Sequence, residues 1–231
     1  MKTIGIIGGI GPESTIEYYR SIMAAYVERV PDGSYPPIII NSIDLKKLLN
    51  FLAANERAKM TEFLLNEIQR LARAGAECGL LAANSPHVVF EDVRRQSPIP
   101  LISIVEATCE AARVMGLGKL GLFGARFTMQ ERFYSDVFSR DGIVIAIPDE
   151  ADQAFIHHVY FHELVKGTVL PETRERLLAI ADRLKEREGI QGLILGGTEL
   201  SLILRDPMIR DLPVLDTTKI HAMAIVAKAF L

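Results

Sequence analysis

Asn84 and Ser85 follow an apolar run that ends at Ala83, and Thr198 and Glu199 stand in the same relation to a second run that ends at Gly197. The first stretch reads Gly79-Leu80-Leu81-Ala82-Ala83-Asn84-Ser85-Pro86-His87 and the second Gly192-Leu193-Ile194-Leu195-Gly196-Gly197-Thr198-Glu199-Leu200. An amide beside a hydroxyl, with backbone N–H groups close by, suits recognition of a carboxylate. His87 in the first stretch and Glu199 in the second add an imidazole and a carboxylate, both of which do general acid/base work when their surroundings tune them. In each case a buried-strand pattern ends in a short polar turn, the place where open α/β sheets bind their ligands. Short polar residues also cap helices at such turns, so capping is the plain alternative for Asn84, Ser85 and Thr198.

A third turn, Gly8-Gly9-Ile10-Gly11-Pro12, follows the run Ile4-Gly5-Ile6-Ile7. Pro12 can open a helix whose N-terminal dipole and N–H groups favour an anion. The turn meets neither G-x-G-x-x-G nor G-x-x-x-x-G-K-[ST], so no nicotinamide, flavin or ATP site is supported and no cofactor is expected. His158 and His162 stand one helical turn apart beside His157, but nothing in the chain singles out a third ligand, and no metal is expected. Cys78 and Cys109 lack metal-ligand spacing and read as packing thiols. Lys46-Lys47 and Arg94-Arg95 read as exposed charge, and Tyr160 either edges the site or packs in the core.

Strand and helix patterns alternate around these turns. Thr3 to Ile7, Pro37 to Ile43, Gly79 to Ala83, Leu101 to Ile104, Leu120 to Phe123, Ile143 to Ile147, Leu193 to Leu195 and Pro213 to Leu215 read as strands. Helices are predicted over Asn55 to Ala74 with Asn55 as N-cap, and over Gln130 to Ser139, Asp149 to Lys166, Pro171 to Glu188 and Thr217 to Leu231. On the last of these the apolar stripe is Ile220, Ala224, Ala227 and Leu231. The halves repeat: Gly5-Ile6-Ile7-Gly8-Gly9 with Tyr18 matches Gly121-Leu122-Phe123-Gly124-Ala125 with Tyr134, since residue 121 lies 116 past residue 5 and residue 134 lies 116 past residue 18. The predicted fold is therefore α/β: two similar domains, each a parallel sheet flanked by helices, related by a pseudo-two-fold axis with the site in the cleft between them. The domains are expected at 1–102 plus 214–231 and at 103–213.

The chain has 231 residues, 49% of them hydrophobic, and an interspersed net charge of −3. That supports one large core or two modest ones and offers no basic stripe for nucleic acid. The start lacks the apolar segment of a secretion signal, and no apolar stretch is long enough to span a bilayer, so a cytoplasmic location without a membrane partner is expected.

Three segments, 4–19, 79–92 and 192–200, resemble the aspartate/glutamate racemase family, and the resemblance extends over nearly the whole chain. It implies cofactor-independent isomerase chemistry at the α-carbon of a small anionic amino acid or carboxylate, in a homodimer whose chain end returns to the first domain. Family members carry one cysteine in each loop, and the aligned positions here hold Ala83 and Gly197. Neither side chain transfers protons, so the two-thiol mechanism is absent, and a glycine at 197 also permits backbone angles that a cysteine tolerates poorly. By the same resemblance Gly9, Gly11, Pro12, Asn84, Ser85, Thr128 and Thr198 bind substrate. Glu199 and His87 are then the available substitutes for the thiols, although both residue types also accompany the cysteines in the family. A catalytically inactive relative that binds a small carboxylate is the alternative. A carbon–carbon lyase is a third reading, weakened because Gly197 stands where those enzymes keep a cysteine.

Overall fold

The computed structural model describes residues 1–231, and the chain divides into two compact units, Met1–Ile104 with Thr218–Leu231 and Val105–Thr217. No helix is long and apolar enough to cross a membrane.

The first unit contains strands β1 (Ile4–Gly8), β2 (Ile38–Ser42), β3 (Cys78–Leu81) and β4 (Leu101–Ile102) in the order β2-β1-β3-β4. All three pairings are parallel. Side chains alternate across the sheet. Ile4, Ile6 and Leu80 pack with Tyr18 and Ile22 of α1 (Pro12–Arg29) and with Ala222, Ile225 and Val226 of the C-terminal helix. Ile7 and Leu81 face the other way, onto a cluster with Leu48, Met60, Leu64 and Ile68. Those residues come from α2 (Leu45–Ala53) and α3 (Arg57–Arg73), and α4 (Phe90–Gln96) adds Phe90 and Val93. Gly5 lies on that face because a Cβ there would stand 2.9 Å from the Ala76 Cβ.

After α5 (Ile104–Val114), the second unit runs through β5 (Lys119–Gly124), α6 (Arg126–Gln130), α7 (Phe133–Phe138), β6 (Val144–Ala146), α8 (Glu150–His162) and α9 (Pro171–Glu188). It continues with β7 (Gly192–Gly196), α10 (Leu200–Ile203), β8 (Met208–Ile209) and β9 (Leu212–Asp216), and α11 (Thr217–Ala229) ends the chain. The sheet order is β6-β5-β7-β9-β8. Its first four strands repeat the first sheet's order, which supports the repeat read from the sequence. Phe123, Leu193 and Leu195 pack with Ile156 and Val159 of α8 and with Leu177, Ile180 and Leu184 of α9.

Several boundaries differ from the sequence reading. The chain passes back to the first unit after Thr217 rather than at 213/214, because β9 pairs with β7 and stays in the second sheet. The second sheet is not parallel throughout: β8 and β9 form an antiparallel hairpin across Arg210 and Asp211, both at positive φ (51° and 61°), without the Asn-Gly signal that marks such turns. Asn55 is not an N-cap. Its φ of 52° reverses the chain after α2, and α3 starts at Arg57. Of Gln130 to Ser139 only Phe133–Phe138 forms an α-helix; Gln130 ends the preceding short helix, where Glu131 turns extended at ψ 157°. Asp149 does cap α8 by accepting from the Asp152 N–H, but the helix ends at His162 and a 3-10 turn, Leu164–Lys166, follows. Ile104 opens α5 instead of ending β4. On α11 the buried face is His221, Ala222, Ile225, Val226 and Ala229, rotated from the predicted apolar stripe, because His221 has hydrogen-bond partners inside the first unit.

Candidate functional site

Strand register makes the two polar loops equivalent. Gly5 pairs with Gly79, and Gly121, its counterpart in the repeat, pairs with Leu193. Residue 193 lies 114 past residue 79, as residue 197 lies 114 past residue 83. Ala83 and Gly197 therefore leave corresponding ends of corresponding strands, each within its own unit.

In the first unit the turn after β1 holds Gly9 and Gly11 at φ 78° and 98°, and Pro12 opens α1. A β-carbon at Gly9 would collide with Ile43 backbone. The Gly9 N–H donates to Thr15 Oγ1 at 2.9 Å, so this amide is committed to the turn, and Glu13 places a carboxylate in the first helical turn. Thr15 also packs against Gly8, as Thr128 packs against Gly124 in the second unit, so each sheet's leading strand ends beneath a threonine.

After β3, Ala83 and Asn84 are buried and Ser85 is half-buried at the start of a 3-10 turn, Ser85–Val89, that carries His87. Asn84 makes no side-chain cap hydrogen bond there, so capping does not account for it. His87 is buried and both ring nitrogens are engaged: Nε2 accepts from the Ile104 N–H at 3.2 Å, which leaves Nδ1–H to donate to the Ala83 carbonyl at 3.0 Å. Burial, with the neighbouring His221 second, depresses its pKa to about 3. The imidazole thus stays neutral in one tautomer, stacked on Phe90 at 4.7 Å between ring centroids. It ties the loop to the end of β4 and has no nitrogen to spare for a ligand.

His221, which the sequence did not single out, also binds the end of that strand, its ring centroid 6.2 Å from that of His87. Its Nε2–H donates to the Ile102 carbonyl at 2.9 Å, and Nδ1 accepts from the Tyr18 hydroxyl at 2.8 Å. Burial lowers its pKa to about 4. The only sequence signal was a histidine next to the small and branched residues of a largely apolar helix.

The second unit's loop is built differently. Gly197, Thr198 and Glu199 are all buried, and Glu199 leads into α10 without capping it. Thr198 Oγ1 donates to Glu199 Oε2 at 2.7 Å, and the Tyr160 hydroxyl donates to the same oxygen. Gly197 does not use a left-handed conformation. What its lack of a side chain accommodates is Tyr160: a Cβ at 197 would lie 2.5 Å from Tyr160 Cε2 and 3.2 Å from Cδ2. Tyr160 is half-buried, with its ring packed against the second unit's core. Burial and the Glu199 carboxylate push its phenol well above the ordinary value of 10. Thr128 is buried against the ends of β5 and β7, where a Cβ at Gly196 would lie 3.2 Å from its methyl carbon.

Neither cysteine belongs to a loop. Cys78 starts β3, where burial raises its pKa, and Cys109 in α5 is pushed up to about 12 by burial and the Asp141 carboxylate 3.4 Å away. Both thiols stay protonated. His157 Nδ1 accepts from the Arg126 N–H, while His162 stacks on His158 and donates from Nδ1 to the His158 carbonyl.

The profile of the Asp/Glu/hydantoin racemase family matches residues 7–225. The chain belongs to that family. Among relatives, the broad specificity amino-acid racemase RacX of Bacillus subtilis is 23% identical over 97% of this chain and 96% of its own. An aspartate racemase homologue from Pyrococcus horikoshii superimposes with a TM-score of 0.85 at 33% identity, covering 100% of both chains. The aspartate racemase of Picrophilus torridus, at 19% identity and a TM-score of 0.79 over 100% of this chain and 95% of its own, shares the fold. In this racemase-family chain the two polar loops read Ala83-Asn84-Ser85 and Gly197-Thr198-Glu199, without a cysteine.

Proposed function

We propose that the protein is a cofactor-independent enzyme that moves the α-proton of a small anionic amino acid or carboxylate. The observation that carries this reading is the matched pair of polar loops at register-equivalent strand ends in a chain of the racemase family. In this reading Asn84 and Ser85 of the first loop and Thr128 and Thr198 of the second unit bind the substrate. The turn at Gly9, Gly11 and Pro12 supplies the helix start that favours its negative charge. The thiols that the family resemblance leads one to look for at 83 and 197 are absent, so another group must take the proton. RacX, by its name a broad-specificity racemase, supports testing many amino acids rather than aspartate and glutamate alone.

A homodimer is part of the same proposal. Helix α1 leaves Ile16, Tyr19 and Val27 exposed along one stripe, and sedimentation velocity tests whether a second copy covers it.

The direct test incubates the protein with a panel of D- and L-amino acids in heavy water, following deuterium at the α-carbon and the melting temperature together. Exchange and ligand-dependent stabilisation with at least one acid are expected. Stabilisation without exchange would reduce the protein to a carboxylate binder, and neither effect at millimolar concentrations would remove the carboxylate reading altogether.

A further inference from the structure

We propose that Tyr160, backed by Glu199, is the catalytic proton-transfer residue of the second loop, filling the space beside Gly197 with a phenol. This rests on the reading of α-proton chemistry given above and names the group that performs it.

The ring lies where any side chain from position 197 would have to project. A half-buried ring packed on the second core is fixed in place, and Phe161 meets it edge-on at 5.2 Å between centroids. Its hydroxyl is aimed at Glu199 Oε2, an oxygen that Thr198 Oγ1 also approaches at 2.7 Å. Two hydroxyls on one buried carboxylate oxygen hold that carboxylate still and give the phenol a proton acceptor directly behind it. The position thus combines the features of an activated acid/base group: a fixed donor, a partner in hydrogen-bond contact and a polar loop at a strand end.

The chemistry is a relay. As the substrate Cα–H bond breaks, its electron pair stays on the α-carbon and delocalises into the adjoining carboxylate. The proton bonds to Tyr160 Oη while the proton already on Oη passes to Glu199 Oε2. The phenol ends neutral and Glu199 holds the proton. Return follows the same path: Glu199 gives its proton to Oη, and Oη gives its own to the carbanion. No phenolate accumulates, in keeping with the strong upward displacement of the Tyr160 pKa by burial and the neighbouring carboxylate. The first loop has no equivalent. Ala83 has no titratable atom, and His87 spends both nitrogens on backbone groups. Proton transfer is therefore delivered mainly to one face of the α-carbon.

Tyr160→Phe keeps the ring and removes only the hydroxyl, and Glu199→Gln keeps the shape and removes the proton acceptor. With an acid that the wild type exchanges in heavy water, both variants should lower kcat for α-deuteration by about 10²–10⁴-fold while KM and ligand-dependent stabilisation change by no more than about threefold. A purely structural hydrogen bond would instead leave kcat near the wild-type value at temperatures where the variant is folded. Exchange by Tyr160→Phe within about threefold of the wild type overturns the relay while leaving α-proton chemistry in place. A wild type that binds carboxylates and never exchanges removes the proposed function itself, and the relay with it. Should Tyr160→Phe fail to fold, Glu199→Gln carries the same decision.

Discussion

The loop after β3 and the loop after β7 leave equivalent strand ends, yet they are furnished in opposite ways. In the first, Ala83 contributes a methyl group and a carbonyl, and the carbonyl is bound by a histidine whose other nitrogen is also occupied. In the second, a bare glycine makes room for a tyrosine from α8, whose hydroxyl meets a buried carboxylate. One loop is closed by backbone hydrogen bonds, whereas the other places a titratable pair where a side chain is missing. A duplicated fold duplicates position, and the chemistry of each copy then depends on which neighbour fills it.

The largest effect should come from unlocking the first loop. His87→Ala leaves the Ile104 N–H and the Ala83 carbonyl without their partner and opens a cavity beside Phe90. A loss of about 3–5 kcal/mol is expected in urea unfolding. A loss below about 1 kcal/mol would mean that the clamp carries little stability.

A smaller effect follows from refilling the second loop. Gly197→Cys forces a β-carbon to within 2.5 Å of Tyr160 and should cost about 1–3 kcal/mol. Combining it with Tyr160→Ala should relieve that clash, so the double variant falls short of the sum of the single losses. Strictly additive losses would show that the ring does not occupy the place of a side chain at 197.

The last effect is gradual: a dependence on pH to which two buried histidines of the first unit contribute. His87 and His221 titrate near 6.5 in the unfolded chain and near 3 and 4 in the folded one. Between those limits the unfolded chain binds more protons, so stability is complete above about pH 6.5 and falls as the pH drops toward 4. The loss is about 1.4 kcal/mol per histidine for each pH unit. His221→Gln should flatten this slope, and an unchanged slope would exclude His221 from it.

Much of this organisation is legible in the sequence, because buried parallel strands read as unbroken apolar runs and the glycine turns at their ends break them cleanly. That logic located the two loops, the likeness of the two halves and the polar residues at each loop. It failed where polar or backbone contacts override apolar counting. Asn55 adopts a left-handed angle, the Arg210-Asp211 turn lacks glycine, and α11 turns His221 inward because two hydrogen bonds await it. The pairing of Tyr160 with Glu199 joins residues 39 apart in the chain, and the contact of Tyr160 with Gly197 shows only once a β-carbon is placed there. No spacing rule reports either.

The contrast between the loops is tested most directly by timing α-deuteration against inversion of configuration in the same heavy-water reaction, starting separately from the D and the L form of an acid that the protein exchanges. With one proton-transfer loop, one enantiomer should take up deuterium at least about tenfold faster than it inverts. Inversion that keeps pace with deuteration from both enantiomers would show two competent groups on opposite faces and contradict the account.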